Sequence, residues 1–355
     1  MVSPGESIQK VVDANPPGTS FLLESGVHRR QEVKPKRGMT FSGEQGTVLD
    51  GDGVTEYAFF AWENTDADNV TIRNLEVRNY APIPQMAAIN NHGRSGWLVE
   101  NCEVHGSAAS GIRVSDNSTI RNCTVHHNER LGLKPSGDNI VVVDNVVHSN
   151  NLNRRNDPTY EAGGIKAGGN GLTFRNNHIY DNYGPGIWLD VGAINVLYEG
   201  NLIEGNAYAG IHHEISYDAI IRNNTIRNNG HGDNRDWLRG AGIIVLGPNV
   251  EVYGNTIKNN NNGIALIQTG RGSGEYGSYD VRNVNIHDNL IINSGENGAV
   301  RSGGSTDIFT KNKFQNNEYR YNDTNKQWWR WDSNHGNWKW WQSKGHDTNG
   351  TLTTP

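Results

Sequence analysis

A short sequence unit recurs along most of this chain, from about residue 70 to residue 317. Its core reads apolar-x-apolar-x-Asn-x-apolar-x-x-Asn, as in VTIRNLEVRN (70–79), LTFRNNHIYDN (172–182) and AIIRNNTIRNN (219–229). Copies lie roughly 21 to 34 residues apart, and each alternates apolar and polar residues with a period of two, which is typical of short β-strands. Clusters of Asn and Gly between the copies indicate turns.

A repeat of this length that is built from short strands indicates a solenoid. No segment keeps the 3.6-residue apolar period of a helical repeat, and the recurring residue is Asn rather than the Leu of leucine-rich repeats. We therefore predict an all-β fold, a single-stranded right-handed parallel β-helix of about ten coils. Neighbouring coils should lie about 4.8 Å apart, and stacked Asn side chains should form hydrogen-bonded ladders along them.

Both ends of such a solenoid need a cover, because the terminal coils would otherwise expose the core. We predict one domain, 1–355, with an N-terminal cap region (1–40), coils (41–317) and a Trp-rich C-terminal cap (318–355). The segment SIQKVVDA at the N-terminus reads as an amphipathic helix. The segment QWWRWDSNHGNWKWW holds more than half of the ten tryptophans and reads as a covering hairpin, although its aromatic rings also suit sugar stacking.

Composition excludes several classes of partner. The formal net charge is −6 and the pI is about 6.1, so no basic field attracts nucleic acid or an anionic membrane. Mean hydropathy is −0.69, and no apolar run approaches the roughly 18 residues of a membrane span. The first residues lack the layout of a signal peptide, which fits either a cytoplasmic protein or the mature form of an extracellular one. The repeat favours the extracellular form.

The two cysteines, Cys102 and Cys123, occupy the Asn position in two consecutive copies of the repeat. They should therefore stack inside the solenoid as neighbours. Free buried thiols are the favoured interpretation, while a disulfide remains geometrically open at that spacing.

A second strand of each coil begins with Gly-Ile or Gly-Leu. The copies are GIRVS (111–115), GLKPS (132–136), GIKAG (164–168), GIWLD (186–190), GIHHE (210–214), GIIVL (242–246) and GIALI (263–267). Because strand side chains alternate between two faces, the third and fifth positions should point outward. These positions are charged or aromatic in the middle coils and apolar in the last two. The middle coils therefore carry the predicted functional face.

Asp190 and Glu214 hold the fifth position in two successive copies. Side chains in one column on adjacent coils lie about 5 Å apart, and the two carboxyl groups of a retaining glycosidase are separated by about 5–5.5 Å. We therefore predict that these acids form a catalytic pair. Solvated strand-end charges or a calcium site are the alternatives. The same alternation places His213 inside, a position that suits histidine poorly.

Other side chains near the pair are predicted to bind substrate. Trp188 would form a wall for a sugar ring, Lys166 and His212 would contact a carboxylate and hydroxyl groups, and Glu161 would be a third acid. Lys134 follows the same column. Two inserts, 151–162 and 231–240, should wall the cleft. Tyr160, Trp237 and Arg239 are the candidates that these inserts supply. No zinc site is predicted from HHE, because adjacent strand residues point to opposite faces.

Taken together, the repeat and these rows resemble the pectate-lyase-like right-handed β-helix superfamily over about residues 5–350. EAGGIK (161–166), GPGIWLD (184–190) and GIHHEISYDAIIRNNTI (210–226) look like bacterial β-helix repeat proteins. Asp on one coil and Glu on the next also resemble β-helix glycoside hydrolases of the β-xylosidase type. That resemblance implies Asp190 as nucleophile and Glu214 as acid/base. The inserted domain of those enzymes has no counterpart here, so their substrate does not transfer.

The prediction is a secreted, monomeric retaining glycoside hydrolase that acts on a polysaccharide or oligosaccharide without a cofactor or metal. One alternative is a polysaccharide lyase or uronate epimerase, with Lys134 and Lys166 as bases and Glu161, Asp190 and Glu214 around Ca²⁺. The Asp-Pro-His motif of alginate epimerases is absent, which disfavours that subgroup. A non-catalytic carbohydrate-binding or adhesive β-helix is the other alternative.

Overall fold

In this computed structural model, the structure describes residues 1–232 and 240–355. The chain forms two compact units, Met1–Thr173 and Phe174–Pro355, and strand β18 (Thr173–Arg175) contains the division between them. Short strands dominate both units. Within the described residues, no helix is long and apolar enough to cross a membrane.

The first unit begins with one helix, α1 (Ile8–Asp13), followed by strands. The strands are β1 (Ser20–Leu23), β2 (Gly26–Arg29), β3 (Thr40–Gly43), β4 (Thr47–Asp50), β5 (Phe59–Ala61), β6 (Thr71–Arg73), β7 (Glu76–Arg78), β8 (Ala87–Asn91), β9 (Leu98–Glu100), β10 (Glu103–His105), β11 (Ser110–Val114), β12 (Thr119–Arg121), β13 (Thr124–His126), β14 (Leu131–Pro135), β15 (Val141–Val143), β16 (Val146–His148) and β17 (Gly163–Ala167).

These strands form three parallel sheets in the first unit. Sheet A has the order β1-β3-β6-β9-β12-β15, sheet B the order β2-β4-β7-β10-β13-β16, and sheet C the order β5-β8-β11-β14-β17. After the first coil, which has no strand in sheet C, each coil gives one strand to each sheet, so identical positions of the repeat stack in register. Ile72 pairs with Val99, and Val99 pairs with Ile120. All three are fully buried, and burying each such side chain stabilises the fold by about 1.5–3 kcal/mol.

The second unit continues the same strand pattern. Its strands are β19 (His178–Tyr180), β20 (Ile187–Leu189), β21 (Val196–Glu199), β22 (Leu202–Glu204), β23 (Ile211–Glu214), β24 (Ala219–Arg222), β25 (Thr225–Arg227), β26 (Ala241–Leu246), β27 (Val250–Tyr253), β28 (Thr256–Lys258), β29 (Asn262–Thr269), β30 (Ser273–Gly274), β31 (Gly277–Ser278), β32 (Asn285–His287), β33 (Leu290–Ile292), β34 (Asn297–Gly303), β35 (Lys313–Gln315), β36 (Glu318–Arg320), β37 (Trp329–Trp331), β38 (Asn334–Gly336) and β39 (Thr351–Thr353). A 3₁₀ turn (Thr306–Phe309) and helix α2 (Trp338–Ser343) complete the unit.

Parallel sheets again organise the second unit. Sheet A runs β21-β24-β27-β32-β35, sheet B runs β19-β22-β25-β28-β33-β36-β39, and sheet C runs β20-β23-β26-β29-β34-β37. Strand β38 extends sheet C by an antiparallel pair with β37. Strands β30 and β31 form a separate antiparallel hairpin. The predicted parallel β-helix is therefore confirmed in its strand order and register.

Asparagine ladders run along the turns, as the repeat predicts. In the second unit the Nδ2 of Asn201 donates to Oδ1 of Asn224 at 2.9 Å, and Asn224 donates in the same way to Asn255. Every such side chain satisfies backbone groups that the turn would otherwise bury without partners. Many flanking turn residues are also Asn in the left-handed region, for example Asn223 at φ 57°, a conformation that Asn tolerates better than most residues.

The two ends differ partly from the predicted caps. Helix α1 is present, and the Oγ of its N-cap Ser7 accepts from the backbone N–H of Lys10 at 3.3 Å. Strand β1 already pairs in parallel with β3, and β2 with β4, so the ladder reaches into the segment predicted as N-terminal cap. At the other end, β37 and β38 form the expected hairpin. Helix α2, which the sequence did not predict, follows it.

Both cysteines occupy the interior of the first unit as free thiols. Cys102 and Cys123 are 2% and 1% exposed. The backbone N–H of Cys123 donates to the Asn145 side chain at 3.0 Å, so the cysteines replace Asn in one ladder. Burial raises the pKa of the Cys123 thiol.

Candidate functional site

The outer face of sheet C has the columns that the sequence predicts. In the first unit Asn90 pairs with Arg113, and Arg113 pairs with Lys134. In the second unit Trp188 pairs with His212, which in turn pairs with Ile244. This register could be predicted from the sequence, because coils stack directly on one another and each position of the repeat therefore forms one column.

Asp190 and Glu214 leave neighbouring coils of the second unit at corresponding positions. Leu189 and His213 pair directly, and each acid is the next residue of its chain segment. Leu189 and His213 are fully buried, whereas both acids are only partly buried and lie on the outer face. Their backbones are therefore about one strand spacing apart, roughly 4.8 Å. The structure brings the predicted pair together on the outer face.

The turn after each acid is strained in the same way. Val191 follows Asp190 with φ 63°, and Ile215 follows Glu214 with φ 35°. A β-branched residue in the left-handed region is a genuine outlier and costs of order 1–3 kcal/mol. Such strain persists where the surrounding structure overdetermines the conformation, and it clusters at functional sites. The same strained conformation therefore follows both acids.

Glu214 is held by two donors. Trp188 Nε1 donates to one carboxylate oxygen at 2.9 Å, and Arg271 Nη1 donates to the other at 2.8 Å. The side chain of Glu214 is 13% exposed and that of Arg271 is 46% exposed. Both oxygens of the Glu214 carboxyl group are therefore held in place by donors from other segments.

Trp188 is a support for Glu214 rather than an open wall. The residue is 5% exposed, and its ring stacks on His212 with centroids 5.3 Å apart and an interplanar angle of 12°. The predicted wall for a sugar ring would require more exposed aromatic surface. The stacked pair instead fixes the indole so that its N–H points at Glu214.

A hairpin that the sequence prediction missed lies against the acids. The segment 270–280 contains β30 and β31, and Tyr217 fastens it by donating to the carbonyl of Gly277 at 2.8 Å. Burial, the hydrogen bond with Tyr217 and the charge of Asp190 raise the pKa of Tyr279 to about 12. Tyr279 therefore lies near Asp190 as a neutral hydroxyl. Arg271 and Tyr279 come from a Gly- and Tyr-rich interruption of the repeat, which was the available signal.

His213 occupies the interior, as alternation predicts. Its Nε2 bonds to the carbonyl of Tyr217 at 3.0 Å, and its Nδ1 lies 3.3 Å from the hydroxyl of Tyr198. Since a carbonyl only accepts, Nε2 carries the proton and Nδ1 accepts from Tyr198. Burial lowers the pKa of His213 to about 4. A neutral, fully hydrogen-bonded ring explains how histidine fits inside the coil.

The polar face of the second unit ends beyond the coil of Glu214. Ile244, Leu246, Ala265 and Ile267 follow in the outward columns, and all four are 5% exposed or less. They form a buried apolar cluster on the outer side of sheet C. The expected change from polar to apolar columns is present, but these apolar residues are covered.

A cationic cluster occupies the same sheet in the first unit. Glu161 accepts from Arg130 at 2.9 Å and from Lys134, and the side chains of Glu161 and Lys134 are 9% and 13% exposed. Burial lowers the pKa of Lys134, while the bond to Glu161 opposes that shift. Glu161 serves here as a buried counter-ion. Arg130, which the sequence prediction did not include, completes this ion pair.

The remaining candidates are placed as follows. Lys166 Nζ donates to the carbonyl of Tyr160 at 2.5 Å and lies 5.5 Å from the centre of its ring. Tyr160 is 60% exposed, so the insert 151–162 does reach Lys166. Trp237 and Arg239 lie outside the described residues. Across residues 1–232 and 240–355, no group of three or more His, Cys, Asp or Glu side chains is placed to hold a metal ion.

Solved structures of several parallel β-helix proteins resemble this chain. The A-module of mannuronan C-5 epimerase AlgE6 from Azotobacter vinelandii has a TM-score of 0.63 at 18% identity, covering 98% of this chain and 93% of that one. A PL6 alginate lyase in complex with a trisaccharide has a TM-score of 0.65 at 14% identity, with coverages of 92% and 80%. XylC in complex with xylose has a TM-score of 0.62 at 10% identity, with coverages of 98% and 82%. At these identities the likeness establishes the fold.

The stacked coils and their polar outer columns define a parallel β-helix protein. A family model described as "Right handed beta helix region" matches residues 87–247 and 163–337, which together span more than half of the chain. The chain therefore belongs to the right-handed β-helix family. No curated protein sequence matches it.

Proposed function

We propose that the protein is a secreted, monomeric retaining glycoside hydrolase that acts on a polysaccharide or oligosaccharide. One observation supports this most directly: Asp190 and Glu214 leave adjacent coils at corresponding positions, each followed by a strained β-branched residue. Two carboxyl groups about 5–5.5 Å apart suit a mechanism in which one attacks the anomeric carbon and the other protonates the leaving oxygen.

Neighbouring side chains supply what such a pair needs. The nucleophile must be ionised, and the acid/base must hold a proton when the glycosidic bond breaks. His212 remains a substrate-binding prediction in this unit, as does Lys166 in the first unit, whereas Trp188 acts through its bond to Glu214. Tyr279 adds a neutral hydroxyl near Asp190. The structural relatives include proteins in complex with xylose and with a trisaccharide, which is consistent with a carbohydrate substrate.

The two acids can hold the roles in either order. The resemblance to β-xylosidases implies Asp190 as nucleophile and Glu214 as acid/base. The Arg271 contact supports the reverse order, because a guanidinium beside a carboxyl group stabilises the charge that a nucleophile carries. If Glu214 is the acid/base, substrate binding must move Arg271 away from it.

A substrate screen with two readouts tests the proposal. Aryl glycosides and polysaccharides are incubated with the protein, and new reducing ends and ultraviolet absorbance are both recorded. A hydrolase produces reducing ends without absorbance, whereas a lyase leaves an absorbing double bond. On glycans whose leaving groups need protonation, Asp190→Asn and Glu214→Gln should each lower kcat by about a thousandfold or more. The matched control, Glu251→Gln on sheet A, should keep its activity. A loss below about tenfold in either variant would count against the pair.

Azide rescue distinguishes the variant that lacks the nucleophile from the variant that lacks the acid/base. The acid/base variant should retain activity on aryl glycosides with good leaving groups, since these need little protonation. Azide should then rescue it and give a glycosyl azide of retained configuration. The nucleophile variant should instead give a product of inverted configuration.

A specific observation also favours a second candidate, a lyase or epimerase centred in the first unit. Proton abstraction beside a carboxylate requires a base, and burial lowers the pKa of Lys134 towards the range of a working base. Ultraviolet-absorbing products that disappear in Lys134→Met, while Glu214→Gln stays active, would establish this candidate instead.

A further inference from the structure

Polar groups without protein partners gather beside the cationic cluster of the first unit. Asn90 and Arg113 are register partners on the outer side of β8 and β11, and His92 lies two residues beyond Asn90. We call Asn90, His92, Arg113 and Lys134 the Asn90–Arg113 cluster. Its members come from three adjacent coils of sheet C.

Arg113 is a cation without a carboxylate partner at hydrogen-bond distance among the described residues. Its Nη1 donates to Met86 Sδ at 3.3 Å, which is a weak acceptor, and its Nε is buried without a partner. Burial lowers the pKa of Arg113. A desolvated guanidinium of this kind offers a fork of donors that matches a carboxylate.

Asn90 is the second unsatisfied group. The residue is 0% exposed, and neither its amide nitrogen nor its carbonyl oxygen has a hydrogen-bond partner. Burying an amide without partners is unfavourable, so such a group calls for an explanation such as a bound ligand. The Nδ1 of His92 is also buried and unpartnered.

The local charge balance favours an anion. Arg130 and Lys134 both contact Glu161, and the charge of the same carboxylate also acts on Arg113. Three cations thus lie near Glu161, and among the described residues the one other carboxylate that acts on the cluster is the exposed Glu63, through His92. The excess positive charge lies in a partly buried region, where salt screens electrostatic interactions only weakly.

An aromatic rim adjoins these groups. Trp62 is 37% exposed, and its ring meets those of His92 and Phe60 edge-on at 4.7 Å and 5.1 Å between centroids. Burial and the charge of Arg113 lower the pKa of His92. The rim therefore joins an apolar ring surface to a neutral imidazole, a combination suited to a polar ring ligand.

We propose that the Asn90–Arg113 cluster binds the carboxylate of an acidic sugar residue, with Arg113 as the specificity-determining contact and Trp62 beside the sugar ring. The inference rests on the proposed function, because it names the substrate class as a uronate-bearing glycan. It requires binding and no turnover, so it can be tested in protein that catalyses nothing.

The test is ligand binding to the full chain, measured by thermal shift and by saturation-transfer NMR. D-glucuronate, D-glucose and acetate are compared at equal concentration and equal ionic strength. D-glucuronate should raise Tm and show ring-proton contacts, whereas D-glucose and acetate should give clearly smaller effects. Arg113→Met should weaken D-glucuronate binding by about tenfold or more, and Arg121→Met, an exposed strand arginine on sheet A, should not.

The proposal would be overturned if D-glucose or acetate raised Tm as much as D-glucuronate does, or if Arg113→Met bound D-glucuronate as well as the unmodified chain. If Arg113→Met fails to fold, Asn90→Ala and Lys134→Met supply the same comparison. Asp190→Asn and Glu214→Gln should bind D-glucuronate as the unmodified chain does. Loss of turnover in those two variants with normal binding concerns the hydrolase proposal alone.

Discussion

Trp188 Nε1 and Glu214 Oε2 lie 2.9 Å apart, and the indole that donates this bond is 5% exposed and stacked on His212. The bond joins neighbouring coils of sheet C. An N–H held by a packed ring cannot follow a displaced carboxylate, so it fixes where Glu214 points. Preorganised donors of this kind are how proteins place a reacting group.

Trp188→Phe removes this N–H and keeps most of the ring surface. We expect kcat on the best substrate of the screen to fall by about tenfold, because Glu214 loses one of its two donors. KM should change little if Trp188 does not touch the sugar. Steady-state kinetics measure both constants. Trp340→Phe in the C-terminal segment is the control, and a large rise in KM with constant kcat would instead place the Trp188 ring against substrate.

Acid should destabilise the fold through its buried histidines. Burial lowers the pKa of His213 to about 4 from an ordinary value of 6.5, and that of His346 also to about 4. Between these values the unfolded chain binds a proton that the folded chain excludes. Stability is therefore fully present above about pH 6.5 and falls as pH drops towards 4. The full loss is roughly 3 kcal/mol for each histidine.

Urea unfolding at pH 7 and pH 4.5 measures this effect. His213→Gln cannot titrate, so its free energy of unfolding should depend less on pH than that of the unmodified chain. His231→Gln, at an exposed position, should leave the pH dependence unchanged. An unaltered pH dependence in His213→Gln would show that this ring does not contribute to acid sensitivity.

Asp347 ends one asparagine ladder of the second unit. It accepts from Asn317 Nδ2 and from the Tyr319 hydroxyl, each at 2.8 Å, and from Trp341 Nε1 at 2.9 Å. Burial raises the pKa of Asp347, although these bonds oppose the shift. Asp347→Ala should destabilise the protein by about 2–4 kcal/mol, because buried donors lose their acceptor. Asp347→Asn should cost less, since its amide oxygen can still accept from Asn317.

Thermal or urea unfolding ranks these two variants. Asp323→Ala, an exposed substitution in the same segment, provides the baseline. Equal stability of the Ala and Asn variants would mean that the ladder end contributes no net hydrogen-bond energy.

The two thiols should be inert in the folded protein. Cys102 and Cys123 are 2% and 1% exposed, and the raised pKa of Cys123 further lowers its thiolate fraction. Ellman's reagent should detect almost no thiol in buffer and both thiols in denaturant. Detection of neither thiol in denaturant without reductant would reveal a disulfide between them.

Strand positions and columns were predictable because a β-helix is locally periodic. Each coil repeats the same alternation, so Trp188 and His212, twenty-four places along the chain from one another, could be assigned to one column from the sequence. The stacking of Asn and Cys in ladders follows from the same register. His213 was also assigned correctly to the interior, although its hydrogen bonds with Tyr217 and Tyr198 were not foreseen.

What repeats do not encode is how their interruptions fold. Arg271 reaches Glu214 from 57 residues away, and Tyr279 lies near Asp190, after a hairpin that interrupts the repeat. Arg130 likewise joins Glu161 across an insert. No local spacing predicts such contacts, because they depend on the path of an irregular segment over the sheet.

The sequence by itself determined the solenoid, its register and the outward position of Asp190 and Glu214, since side-chain alternation and coil stacking are properties of the strand. Tertiary structure alone decided the surroundings of those acids: the burial of Trp188, the Arg271 ion pair, and the strained turns at Val191 and Ile215. In the first unit, it alone decided that Asn90 is buried without a hydrogen-bond partner beside Arg113. Burial and ion pairing depend on segments that are far apart along the chain. Only the folded chain brings those segments together.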